Sequence, residues 1–122
     1  MIIPWNYFCH YGDTTLLEEH YCGMKHWVEY LNTRTDDKGI VVREEPNGWC
    51  LGEWSTPHNV IEIPASLVNT TYFYHVTCIM ANIANILNKK DDENELRILA
   101  RTIKRNFNIA FYNEVTHHYW EG

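Results

Sequence analysis

The 122-residue sequence lacks the features of several large functional classes. No two of its four cysteines are spaced as Cys-x-x-Cys, which excludes a zinc ribbon and a thioredoxin-type redox motif. No apolar run reaches the roughly 18–20 residues that a membrane-spanning helix needs. The first residues show neither a cationic segment nor a cleavage site of small residues, so we expect no signal peptide, and the compartment stays open.

Basic residues and phosphate-binding or nucleophile motifs are also scarce. Lys and Arg total 10 against 16 Asp and Glu, which gives a formal charge of -6. A chain without a basic block is not expected to bind nucleic acid or an anionic membrane. Glycine-rich phosphate loops, a Gly-x-Ser-x-Gly elbow and a His-Glu-x-x-His pair are missing as well. We therefore predict no catalytic residue, no metal and no cofactor from motifs in this chain.

What is present is an aromatic-rich globular composition with helical periodicity. Hydrophobic residues make up 45% and aromatic residues 14%, and the length suits one domain over 1–122. Apolar spacing predicts helices over about 3–11, 14–32, 65–87 and 92–111. Gly12 is expected to end the first helix, and Asp13 and Asp92 are expected to cap the second and the fourth.

The predicted helices alternate in character. The second and fourth carry one apolar stripe each, whereas the third is apolar nearly all round and should be covered on several sides. Inner helices covered on two sides and outer helices covered on one are typical of a double-layered α/α barrel. The sequence thus predicts an all-α fold, a slice of such a barrel, with one long loop between the second and third helices and a short strand over 40–42.

The long loop holds the most suggestive chemistry. Glu53 lies in the stretch Trp49-Cys50-Leu51-Gly52-Glu53-Trp54. Indole rings stack on the apolar face of a sugar ring, and a carboxylate between them can accept its hydroxyls. The alternative is a loop anchored by buried tryptophans with a solvated carboxylate, and periodicity alone favours that alternative.

Several motifs in order resemble the α-L-rhamnosidase family of glycoside hydrolases, in its six-hairpin α/α-barrel catalytic domain. The resemblance covers nearly the whole chain and rests on these stretches: Ile2-Ile3-Pro4-Trp5, Tyr11-Gly12-Asp13 with Leu16-Leu17-Glu18-Glu19, Met24-Lys25-His26-Trp27-Val28-Glu29-Tyr30-Leu31, Gly48-Trp49-Cys50-Leu51-Gly52-Glu53-Trp54 with Thr56-Pro57, Val68-Asn69-Thr70-Thr71-Tyr72-Phe73-Tyr74, and Ile103-Lys104-Arg105-Asn106-Phe107-Asn108.

The resemblance implies a part of an enzyme that releases terminal α-L-rhamnose with inversion. Inversion requires a carboxylic acid and a carboxylate base, and neither of the family's catalytic motifs is found in this sequence. The chain itself is therefore expected to be inactive. The resemblance implies that these residues line the sugar pocket, Glu53 standing where the family usually has Asp: Trp5, Trp49, Glu53, Trp54, Asn69 and Tyr72.

Two other functions remain open at this point. The chain could be a non-catalytic helical module that binds sugar or a partner, or it could belong to a related six-hairpin glycosidase of other specificity. In each case a barrel slice exposes apolar helix flanks, so self-association is a further expectation. The expected partner is a rhamnose-containing glycoside.

Overall fold

The computed structural model describes residues 1–42 and 63–119. Within these ranges the chain forms α1 (Ile2–Tyr11), α2 (Thr15–Thr33), α3 (Ala65–Ile86) and α4 (Lys90–Phe111). The all-α prediction is confirmed. Extended pairing in the described ranges is limited to two isolated bridges, Thr35 with Val41 and Asn113 with His118, so the short strand predicted over 40–42 is reduced to a single bridge.

The turn between α1 and α2 forms as the sequence predicts. Gly12 has a φ of 70°, and its N–H donates to the carbonyl of Phe8 at 2.8 Å, which closes α1. A left-handed residue at this position favours glycine because it has no Cβ to clash. The Asp13 carboxylate accepts the backbone N–H of Thr15 at 2.9 Å and its hydroxyl at 2.7 Å. Asp13 therefore caps the first turn of α2 from one residue before the N-cap, Thr14.

The predicted start of the fourth helix is wrong. Helix α4 begins at Lys90, with Lys89 at the N-cap position, so Asp92 is already inside the first turn. Its carboxylate does not cap α4 but faces α2, where it accepts two side-chain hydrogen bonds. Negative charge in a first turn is favourable in any case, because the helix dipole is positive at its N-terminus.

Helix α3 is the centre of the packing. It packs most extensively on α4 and also contacts α2 and α1. Nine of its residues are buried, against four in α2, three in α4 and none in α1. The alternation of one helix covered on several sides with helices covered on one side is therefore present. Large core residues of α2, α3 and α4 include Leu17, Met24, Phe73, Met80, Ile83, Leu96 and Ile103.

Successive helices run antiparallel, which gives the layer two distinct ends. At the loop end, α2 ends, α3 begins and α4 ends, and Gly39 after α2 approaches the Asn106 amide of α4. The turn end carries the connections 12–14 and 87–89. There, a cavity between α2 and the end of α3 is lined by Glu18, Cys22 and Leu87. None of the four helices is long and apolar enough to cross a membrane.

Candidate functional site

A buried hydrogen bond organises the loop end. The backbone N–H of Val41 donates to the hydroxyl of Thr70 at 3.0 Å, and Thr70 is fully buried. Before it, the Asp36 carboxylate accepts the N–H groups of Lys38 and Ile40, each at 2.9 Å. This turn directs the chain after α2 back onto the first turns of α3, where the Thr70 hydroxyl satisfies the buried N–H of Val41.

Two of the predicted sugar-binding residues lie beside this hydrogen bond. Asn69 is half-buried and directly precedes Thr70, and Tyr72 exposes 59% of its surface two residues further on. Trp49, Glu53 and Trp54 lie outside the described residues. The described residues on either side of their segment, Val42 and Ile63, both belong to the loop end, since one follows Val41 and the other precedes α3.

Trp5 lies nearer the turn end of the layer than Asn69 and Tyr72 do. The first turn of α1, through Met1 and Pro4, borders a cavity of about 390 Å³ together with Met24 and Trp27 of α2. Helix α2 continues six residues beyond Trp27, which is about 9 Å at 1.5 Å per residue. Trp5 is half-buried, and its ring lies 5.9 Å from that of Phe8. It therefore contributes to the side wall of the layer rather than to the loop end itself.

The turn end holds a cluster of charged and hydroxyl groups. The Tyr21 hydroxyl donates to Asp92 at 2.7 Å, and Lys25 Nζ donates to the same carboxylate at 2.6 Å. The Lys25 bond, followed by the Tyr21 bond, lowers the pKa of Asp92, and the same Asp92 bond raises the pKa of Lys25. Burial, followed by the hydrogen bond to Asp92, raises the pKa of Tyr21 well above its usual range.

This cluster is built for structure rather than for acid–base catalysis. A carboxylate whose pKa is lowered is a weak base and cannot hold a proton for a leaving group at neutral pH. Lys89 Nζ lies 4.6 Å from the centre of the Tyr21 ring in a cation–π contact. Its positive charge, after the larger effects of the Lys25 and Tyr21 hydrogen bonds, also lowers the pKa of Asp92. Among residues 1–42 and 63–119, no group of three or more His, Cys, Asp or Glu side chains could hold a metal ion.

Two roles were not found from the sequence. Thr70 positions the chain after α2. Asp92 joins α4 to α2 by binding Tyr21 and Lys25, which lie 71 and 67 residues earlier in the sequence. The only signal for Thr70 is a hydroxyl residue on a largely apolar helix face, a signal that Thr77 shares. Asp92 carries a signal that fits a cap equally well, because Asp is common both at the N-cap and in the first turn.

Comparison with known proteins gives a consistent result over nearly all of the chain. The profile of the bacterial alpha-L-rhamnosidase 6 hairpin glycosidase domain matches residues 1–121. An alpha-L-rhamnosidase of Formosa agariphila is 28% identical over 116 residues, covering 91% of this chain and 12% of the relative. An alpha-L-rhamnosidase of an Alteromonas species is 22% identical and covers 93% and 12%.

A solved structure supports the same assignment. The alpha-L-rhamnosidase from Dictyoglumus thermophilum superposes with a TM-score of 0.81 at 36% identity, over 92% of this chain and 12% of that chain. The present chain thus spans about an eighth of the relatives it matches. The helix alternation and the match over residues 1–121 lead to one conclusion: the chain belongs to the bacterial α-L-rhamnosidase six-hairpin glycosidase domain family.

Proposed function

We propose that residues 1–122 form a single, partial barrel domain that supplies part of the sugar pocket of a glycosidase hydrolysing terminal α-L-rhamnose with inversion. The observation that carries the proposal is the arrangement at the loop end. Asn69 and Tyr72 lie in the first turns of α3, next to Thr70, which binds Val41 just before segment 43–62 in the sequence. That segment contains Trp49, Glu53 and Trp54, and the names of the relatives support rhamnose as the sugar.

The chemistry of these side chains suits a deoxy sugar. The exposed ring of Tyr72 offers an apolar face and a hydroxyl, and indole rings in segment 43–62 would add further stacking surface. The Asn69 amide carries both donor and acceptor atoms that can recognise adjacent sugar hydroxyls. The Glu53 carboxylate would accept hydrogen bonds from sugar hydroxyls. Trp5 lies nearer the turn end than Asn69 and Tyr72 do. Its ring would line the side of the pocket that contacts the apolar face of the sugar.

The same proposal assigns no catalytic residue to this chain. Inverting hydrolysis uses two carboxyl groups about 6.5–9.5 Å apart, on opposite sides of the scissile bond. Asp92 at the turn end is ion-paired with Lys25, and Asp36 at the loop end accepts two backbone N–H groups of its own turn. The acid and the base would then come from other hairpins of the barrel.

The first test measures hydrolysis. Purified 122-residue protein, with its helical content verified by circular dichroism, is incubated with an aryl α-L-rhamnoside. We expect release of the aryl group at the rate of the buffer blank. Release above that rate that survives repeated purification would contradict the assignment of both catalytic carboxylates to other hairpins.

The second test locates sugar binding. The protein is titrated with L-rhamnose while the amide and indole resonances are followed by NMR, and D-rhamnose serves as the mirror-image control. We expect L-rhamnose to shift the signals of Tyr72 and the tryptophan indoles and to leave Tyr11, at the turn end, unchanged. Equal shifts with both enantiomers, or shifts confined to the turn end, would overturn the pocket.

A matched pair of variants makes the binding test quantitative. Tyr72→Ala removes an exposed ring at the loop end, and Tyr11→Ala removes an exposed ring at the turn end. One aromatic stacking contact is worth about 0.5–1.5 kcal/mol, so Tyr72→Ala should weaken L-rhamnose binding by roughly twofold to thirteenfold. Tyr11→Ala should leave the affinity unchanged. An equal loss in both variants would place the binding surface elsewhere.

A further inference from the structure

Helix α3 has a single exposed residue along its central part. Between Phe73 and Ala84, a stretch that the structure describes throughout, three residues are half-buried, His75 is exposed and all others are buried. The buried residues pack within the layer, where α3 contacts α1, α2 and α4. His75 therefore marks the side of α3 that these three helices leave open.

The other polar side chains on this side of α3 already have partners. The hydroxyl of Thr71, one turn before His75, donates to the Leu67 carbonyl at 2.9 Å. The amide oxygen of Asn82, two turns after His75, accepts a hydrogen bond from Arg97 at 3.4 Å. In the described part of the chain, the imidazole of His75 has neither a hydrogen-bond nor an ion-pair partner. Its ring nitrogens are therefore available to a ligand.

The position of His75 differs from the flank of α3 on which a further hairpin would pack. That flank is a cavity beside α4, which Tyr74 and Cys78 line and His75 does not. A helix side covered by another helix is apolar, because a buried polar group without a partner costs free energy. In a double-layered barrel, the side of an inner helix that no other helix covers faces the barrel interior. An unpartnered histidine there fits contact with water or with a polar ligand.

His75 is a neighbour of Tyr72 on the surface of α3. The two residues are three positions apart, a spacing that places side chains side by side on a helix, with about 5–6 Å between Cβ atoms. Helical Cα–Cβ bonds tilt toward the N-terminus, so the His75 side chain leans toward the loop end, where α3 begins. At 1.5 Å per residue, His75 lies about 4.5 Å further from the loop end than Tyr72. The imidazole is thus nearly one turn deeper than the exposed ring of Tyr72.

We infer that His75 is a further sugar-binding residue, whose imidazole hydrogen-bonds a hydroxyl of L-rhamnose while an apolar face of the sugar lies on Tyr72. The inference rests on the proposed function, because it adds a contact to the same pocket. A neutral imidazole has one donor and one acceptor nitrogen, which suits a hydroxyl group that both donates and accepts. The aromatic ring selects the stacked face of the sugar, and the deeper imidazole selects the position of its hydroxyls.

The test compares L-rhamnose binding by the unchanged chain and by three variants, each first shown by circular dichroism to keep its helical content. His75→Leu removes both ring nitrogens, and His75→Gln keeps a donor and an acceptor. His26→Leu is the matched control, because His26 is exposed on the face of α2 opposite the buried Met24 and Val28. Binding is followed by NMR of the histidine ring nitrogens and the tyrosine rings, with D-rhamnose as the mirror-image control.

The expected results separate contact with the sugar from support of the helix. L-rhamnose should shift the ring signals of His75 and Tyr72 with the same Kd and leave those of His26 unchanged. His75→Leu should weaken binding by about twofold to thirteenfold, the range that one hydrogen bond between neutral groups gives. His75→Gln should recover most of that loss, and His26→Leu should bind like the unchanged chain. Leu and Gln have similar helix propensities, so helix stability does not explain a difference between them.

The response of Tyr72 distinguishes a failure of this inference from a failure of the proposed function. If L-rhamnose shifts Tyr72 but not His75, or if His75→Leu binds as tightly as the unchanged chain while Tyr72→Ala binds more weakly, the inference is overturned and the proposed pocket stands. If neither residue responds to L-rhamnose, or both respond equally to D-rhamnose, the inference and the proposed pocket are overturned together.

Discussion

The backbone N–H of Val41 and the hydroxyl of Thr70 form a buried hydrogen bond of 3.0 Å between residues 29 positions apart. This bond fixes Val41, near the end of the described residues 1–42, against the first turns of α3. Asn69 and Tyr72 lie in the same turns of α3. The chain after α2 is therefore tied to α3 by a buried polar contact beside the apolar core.

Replacing Thr70 by valine should destabilise the protein by about 1–3 kcal/mol, because the buried N–H of Val41 would lose its acceptor. Urea unfolding measures the change. Thr77→Val is the matched control: Thr77 is equally buried on the same helix, but its hydroxyl donates to the Phe73 carbonyl one turn earlier. That carbonyl keeps its helical partner, so the control should change stability much less. Equal losses would mean that packing, and not the Val41 bond, sets the cost.

Asp92→Asn should lower the free energy of unfolding by about 1–2 kcal/mol, because the charged acceptor of Lys25 and Tyr21 is lost while part of the pair is solvated. The side chains of Lys25 and Asp92 are 31% and 23% exposed, so solvent screens the ion pair only partly. Asp91→Asn, at the neighbouring first-turn position, controls for the helix dipole. A similar loss in both variants would assign the effect to the dipole of α4 alone.

The same cluster predicts a pH dependence with two limbs. The pKa of Asp92 is lowered on folding, so its contribution is present above its unfolded pKa of about 4 and is lost as pH falls through the folded value. The pKa of Lys25 is raised, so its contribution is present below its unfolded pKa of about 10.4 and is lost as pH rises through the folded value. The urea midpoint should fall at both extremes.

The Asp92→Asn variant tests this origin of the pH dependence. The difference in stability between the unchanged chain and the variant should be largest near neutral pH. It should shrink below the Asp92 pKa, where the unchanged chain is protonated as well, and above the Lys25 pKa, where the cation is gone. A difference that stays constant from acid to alkaline pH would contradict the ion pair as its cause.

Two glycines should respond in opposite directions to alanine. Gly12→Ala should destabilise the protein by about 1–2 kcal/mol, because a Cβ is disfavoured at its φ of 70° even though nothing lies near it. Gly23→Ala should stabilise by about 0.5–1 kcal/mol, because Gly23 lies within α2 and a Cβ there also meets no atom within 4 Å. Thermal unfolding of both variants measures the two changes. The same sign in both would contradict a backbone origin.

The sequence by itself determined the helices and their character. Local spacing of apolar residues predicts α2, α3 and α4. A helix is stabilised by the face that it buries, and that face is formed by apolar residues three to four positions apart in the sequence. The end of α1 at Gly12 also followed from local chemistry, because a left-handed residue is a property of one position. The family resemblance followed from motif order for a related reason: it depends on linear sequence and not on contact geometry.

Only the tertiary structure decided how distant residues are used. Asp92 fits a cap as well as an interhelical acceptor, and Tyr21 and Lys25, which choose between these roles, lie about seventy residues earlier. Thr70 likewise acquires its role from Val41. The separation of Trp5 from Asn69 and Tyr72 depends on how far α1 reaches along α2. Such relations arise from packing between elements, and side-chain periodicity within one element carries no information about them.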